Sequence, residues 1–377
     1  MRYPESPPLD RSDNPRPPLA QWADLALAHI PVNALTLAWL LVAFLSFAAI
    51  GTVSPITGLI LGLFTLVRLM MIRHTAAGAL AKFREVAPPM RRAWQPRYFL
   101  IRRLVRHFAA VQGIEAPEII IDGANIIGRL NAAALHLEGQ QTLVIDWRLF
   151  EPDASKMFGD STLAGIIAHE IAHLRPSQLE REALFNWRRA YSGSLLPALV
   201  IGCLFAAAPI SLFLLMWPAL GAITYLALLA RRREEVEADL RGAGFFARGG
   251  RSAILEALLL VGVATATSQV ADCPSERFVT RFRRAIERAG RFGALAIGPD
   301  FSSACQAMVS VEEPNDLADR LLDLAYRAKH PFRDHPNVEA VARRLGLSQI
   351  DGDIALEPDG EAFPGGRFVL QVTIKRN

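Results

Sequence analysis

The sequence predicts an α+β fold, predominantly helical, with a small β-sheet and four transmembrane helices in two hairpins. Three observations predict it: two long uncharged stretches, short β-branched runs between them, and helical apolar spacing over much of the remainder. The chain has 377 residues, 51% of them apolar. That exceeds one ordinary domain of about 100 to 200 residues and excludes disorder over the whole length. The three cysteines, Cys203, Cys273 and Cys305, are scattered with no C-x-x-C. They exclude a disulfide framework and a cysteine-based zinc site.

Residues 1–31 hold seven prolines among mixed charges, too little apolar surface to offset the entropy of ordering, so a disordered proline-rich tail is expected. It lacks the pattern of a secretory signal, because the apolar run begins only near Ala34 and then continues too long. From Ala34 to Val67 no residue is charged. As helix this is about 51 Å, too long for one crossing of a ~30 Å hydrocarbon core. Gly51-Thr52-Val53-Ser54-Pro55 supplies the break, giving spans near 32–50 and 56–73 and a transmembrane hairpin at 32–73.

A second uncharged run, Ala190 to Ala230, is 41 residues long, again about twice the hydrocarbon thickness. It predicts a second hairpin at 190–230, turning near Pro209. Arg188 and Arg189 flank its start and Arg231, Arg232 and Arg233 its end, which puts both ends on the cytoplasmic side. Between Arg68 and Arg106 stand ten Lys/Arg and one acid, Glu85. This stretch is expected in the cytoplasm, partly against anionic lipid headgroups, with the N-terminal tail on the same side. Membrane lipids are therefore expected partners. Nucleic acid is not, since Trp94, Tyr98 and Phe99 fit an interfacial belt.

Residues 74–189 then form a basic linker and the first part of a cytoplasmic domain. Its expected strands are Glu118–Asp122, Gln141–Asp146 and Leu130–His136, followed by a helix over Leu163–Leu174. Residues 231–346 form the second part. A charged helix is expected at Arg231–Phe246, an apolar core helix at Ser252–Val270, and amphipathic helices at Ser275–Gly290 and Asp316–Leu345. Residues 347–377 are a C-terminal extension in which Arg367–Lys375 alternates like a strand.

Chemistry concentrates in IIAHEIAHL. His169 and His173 stand four apart, so on a helix both imidazoles leave one face where one divalent ion takes both. Glu170, beside them, is placed to take a proton from an activated water and pass it to a leaving amine. Zinc used for hydrolysis has three protein ligands and an open position. Neither His29, His74, His107 nor His136 offers a good third. The stretch Arg232 to Asp239 does, because Glu235 and Asp239 share one helix face: one carboxylate for the metal and one to orient a ligand imidazole. Spacing alone does not separate Glu235 from Glu234 or Glu237. His173 and Glu235 share a metal only if an even number of crossings separates them, and the 41-residue run predicts two.

A-H-E-I-A-H at 168–173, the two predicted spans, and E-x-x-A-D at 235–239 resemble the HtpX-type membrane zinc metalloproteases, relatives of the CAAX prenyl proteases. The resemblance covers roughly Arg68 to Leu345. Asn131-Ala132 is similar to the family's Asn-Ala on an edge strand beside the active site, and His335-Pro336 to its late His-Pro helix start. The resemblance implies a zincin-like domain with one zinc ion held by His169, His173 and Glu235. It makes Glu170 the general base and acid, has Asp239 orient a ligand, and has Asn131 and Ala132 hold extended substrate. The oxyanion donor stays open among His335, His330 and Arg232. Gln178 stands where relatives often carry an acid, and Arg231-Arg232 where they carry Ser-Arg.

The function so implied is hydrolysis of peptide bonds in misfolded or damaged membrane proteins. The enzyme would sit in a bacterial cytoplasmic membrane with its site facing the cytoplasm. The rival of another class is a membrane scaffold or holdase with a structural or vestigial metal site. An intramembrane protease of the site-2 kind is disfavoured, because Asp160, Arg175 and Glu180 flank the metal helix.

Overall fold

The computed structural model describes residues 32–124, 127, 131–137, 140–152, 159–174, 178–205, 210–272, 276–293, 338–350, 354–356 and 369–370. The expected proline-rich tail, Pro209, His330 and His335 lie outside these residues.

The first uncharged run folds as α1 (Val32–Val53) and α2 (Pro55–Glu85). The five-residue break narrows to Ser54, an extended residue whose side chain accepts the Thr57 N–H at 3.4 Å. Pro55 opens α2, where its missing N–H costs nothing. Beyond the predicted end at 73, α2 continues for three more turns, because Ala, Leu, Lys and Arg favour helix, no proline intervenes and the single Gly78 costs only about 1 kcal/mol. Its far end reaches the sheet. Leu80 and Phe83 pack with Ile120 and Val144, and Arg84 meets Glu118 at 2.6 Å.

The second run gives α5 (Gln178–Phe205) and α6 (Ile210–Ala243), with Pro197 and Pro218 inside them. The charged helix expected as a separate element at Arg231–Phe246 is instead the continuation of α6. No glycine, proline or capping residue separates Leu229 from Arg232, so the helix runs on. Trp39, Ala43, Ile50, Leu61, Tyr191, Leu195 and Leu199 join α1, α2 and α5 in one cluster. Outside it, Leu37, Phe44, Leu59, Leu63, Met70, Met71 and Leu204 face outward, Leu59 being 75% exposed.

Among the described residues, two helices are long and apolar enough to cross a membrane by length and composition: α2, and Gly250–Thr267 within α7 (Gly250–Asp272). Leu37–Val53 is a shorter apolar helix. Of the four expected spans only the one near 56–73 coincides with such a helix among the described residues, so four spans are not established. In α5 only 190–205 is uncharged, and 206–209 fall outside the described residues. α7 was expected in the core and packs there, with Ile254, Leu255, Leu259 and Val263 buried.

The core itself holds α3 (Gln95–Gln112), a three-stranded sheet, and α4 (Asp160–His173). The sheet is ordered β1-β3-β2 from Glu118–Asp122, Gln140–Asp146 and Ala132–Leu137, with β1 parallel and β2 antiparallel to β3. β2 is an edge. Glycines set how closely helices approach α4. A Cβ on Gly165 would lie 2.2 Å from the Ala253 carbonyl oxygen of α7, and one on Gly242 of α6 would lie 3.0 Å from that of Ala168. α8 (Glu276–Arg291) and α9 (Val338–Leu345) complete the α-helices among the described residues. A second sheet pairs β4 (Phe246–Arg248) with β5 (Ile354–Leu356), and β5 with β6 (Val369–Leu370), so Leu356 of the C-terminal extension joins the core.

Candidate metal centre

α4 is buried at Ser161 through Ala168 and again at Ile171 and Ala172. Past Ala168 only His169, Glu170 and His173 leave full burial, so these polar side chains share the stripe of the helix that turns away from the core. Its ends are pinned from neighbours. The Ser161 hydroxyl donates to Glu256 on α7 at 2.8 Å, and the Gln112 amide donates to the Leu174 carbonyl at 3.1 Å.

α6 crosses this stripe with Glu235 and Asp239. Asp239 lies 2.8 Å from His169 Nδ1 and is almost fully buried. An Nδ1–H donated to this carboxylate leaves the lone pair on His169 Nε2. That nitrogen stands 3.2 Å from His173 Nε2 and 3.4 Å from Glu235 Oε2, and His173 Nε2 is 3.6 Å from the same oxygen. Three donor atoms at tetrahedral angles on bonds of about 2.0 to 2.1 Å would be about 3.4 Å apart. The three residues therefore fit a single small divalent ion, and their ligand atoms all lie within 4.8 Å of one another.

The electrostatics point the same way. Burial disfavours a charged His169. The hydrogen bonds to Asp239 and Glu235, with the charges of Asp239 and Glu170, outweigh burial and hold its pKa well above the ordinary imidazole value. The site calls for positive charge.

Each expected site residue has a definite place or lies outside the described part. Glu170 sits beside the three donors, and its Oε2 accepts the Ala134 main-chain N–H at 2.7 Å. Asn131 immediately precedes β2, its carbonyl accepting the Asp146 N–H at 3.0 Å, and Ala132, the first residue of the strand, is buried. Glu237 is drawn to Arg233 at 3.4 Å, away from the imidazoles. Arg232 is buried one turn before Glu235, and His335 and His330 fall outside the described residues. The Ala134 contact carries no signal in the sequence, since nearly any residue supplies an N–H.

The profile of peptidase family M48 matches residues 100–339, well over half of the chain. No curated protein and no solved structure matches it. The matched region takes in the sheet, the helix with its two histidines, and the helix that brings Glu235 and Asp239 to them, and on this match the chain belongs to peptidase family M48, a family of metallopeptidases.

Proposed function

We propose that this chain is a membrane-embedded zinc endopeptidase that cuts misfolded or damaged membrane proteins on the cytoplasmic side of a bacterial inner membrane. The observation that carries the reading is the convergence of His169, His173 and Glu235 with Glu170 beside them. When bound there, zinc supplies Lewis acidity for the scissile carbonyl and for water. Glu170 takes the proton from the attacking water and hands it to the departing nitrogen. Asp239 keeps His169 in one tautomer and one orientation. The open edge of β2, with Asn131 just before it and Ala132 its first residue, suits an extended peptide that adds as a strand, a mode indifferent to most side chains and so to most sequences.

The membrane reading is supported by the outward-facing Leu, Phe and Met of α1, α2 and α5, a surface too apolar for water. Arginines at both ends of the second hairpin and after the first support the cytoplasmic orientation. In this reading the spans are α1, α2, α5 and the first part of α6, and residues 74–189 and 231–346 together make the protease domain.

The test is zinc content and casein cleavage of the detergent-purified full chain, prepared metal-free and reloaded, for wild type, Glu170→Gln and Glu235→Ala. The expected result is one zinc and cleavage in wild type, zinc without cleavage in Glu170→Gln, and neither in Glu235→Ala. Equal zinc in all three with cleavage in none, on casein and on a membrane-protein substrate, would favour a scaffold with a structural metal instead.

A further inference from the structure

The register of the sheet fixes which main-chain groups of β2 face outward. Asp146 N–H donates to the Asn131 carbonyl, and the pairs run from Ala132 with Ile145 to Leu137 with Gln140. Main-chain groups alternate sides along a strand. Asn131, Ala133, Leu135 and Leu137 therefore turn theirs to β3, and Ala132, Ala134 and His136 turn theirs to the open edge. The middle donor of that outward row is already engaged, because Ala134 N–H donates to Glu170 Oε2 at 2.7 Å.

We infer that Ala134, through its main-chain N–H, is the positioning residue for Glu170. The inference rests on the reading of Glu170 as the base. A glutamate has three side-chain torsions and would otherwise swing toward either imidazole or toward solvent. A short hydrogen bond to a charged acceptor holds it where it stands. With Oε2 fixed by the strand, Oε1 is the oxygen that meets the water. The strand proposed to align the peptide also holds the base, and a peptide added there is left the main-chain groups of Ala132 and His136 and the Ala134 carbonyl.

Only proline removes this donor while leaving the chain intact, and an edge position with its N–H facing away from the neighbouring strand is where a sheet tolerates proline. The first measurement is residue-resolved hydrogen exchange on the zinc-loaded full chain. The Ala134 amide is expected to exchange at least about tenfold faster in Glu170→Ala than in wild type, with the Asp146 amide unchanged in both. The second is kinetic. Ala134→Pro is expected to lower kcat about 10- to 100-fold with KM and zinc content unchanged, and Ala134→Ser, which keeps the N–H, to recover that loss.

Equal Ala134 exchange in wild type and Glu170→Ala overturns the inference, as does a folded, zinc-loaded Ala134→Pro with undiminished kcat. If the proline variant fails to fold, the exchange result decides. If wild type cuts nothing, the protease reading fails by itself and exchange still reports on the contact.

Discussion

At the scale of residues, the metal centre depends on which carboxylate of α6 meets the two imidazoles. Glu234, Glu235 and Glu237 differ only by rotation about the helix, about 100° per residue, so spacing could not choose among them. The packing of α6 on α4 brings Glu235 to 3.4 Å from His169 and leaves Glu237 with Arg233. Asp239, by contrast, was legible as a helix-face partner of Glu235. Asp239→Asn is expected to weaken zinc binding about 10- to 100-fold by loosening His169. Competition with a chromogenic chelator measures this, with Glu237→Gln as the variant that keeps full affinity.

At the scale of elements, α4 is held between α6 and α7 at distances only glycine allows. Gly165→Ala would drive a methyl into the Ala253 main chain at 2.2 Å, forcing the helices apart. The expected cost is about 1 to 3 kcal/mol, read as a lower midpoint in denaturant. Gly262 on the same α7 has nothing within 4 Å of an added Cβ. Gly262→Ala is expected to raise stability by about 0.5 to 1 kcal/mol through helix propensity alone, so the two substitutions should differ in sign. Neither glycine announced its role in the sequence, since close approach is a property of two helices at once. The strands of the first sheet were legible to within two residues, β1 and β3 because β-branched runs bounded by turns leave the backbone few alternatives, whereas β4, inside an expected helix, and β5 were not.

At the scale of the whole molecule, two helices tie the apolar belt to the chemistry. α2 runs from its exposed leucines to the sheet, and α6 from its uncharged part to Glu235 and Asp239. In the proposed topology the Ser54 turn faces outside and Arg231 inside. A membrane-impermeant thiol reagent should therefore label Thr52→Cys in intact cells, and Arg231→Cys only after lysis, both in a cysteine-free background. Labelling of both or neither in intact cells would sink this topology. Because a metal held by His169, His173 and Glu235 would join α4 to α6, chelation is expected to lower the thermal midpoint of the full chain by several degrees, with zinc restoring it.

The sequence by itself determined the His-Glu-x-x-His face, the acidic stretch that answers it, the apolar runs and the positions of the first sheet's strands. These are local patterns, set by helical and strand periodicity and by where charges are absent. Tertiary structure alone decided that α6 is unbroken from its uncharged part into the site, that Glu235 is the carboxylate at the imidazoles, and that a main-chain N–H of β2 meets Glu170. Those facts depend on how segments far apart in the chain rotate and approach one another, and on a backbone group every residue shares, which no pattern of side chains encodes.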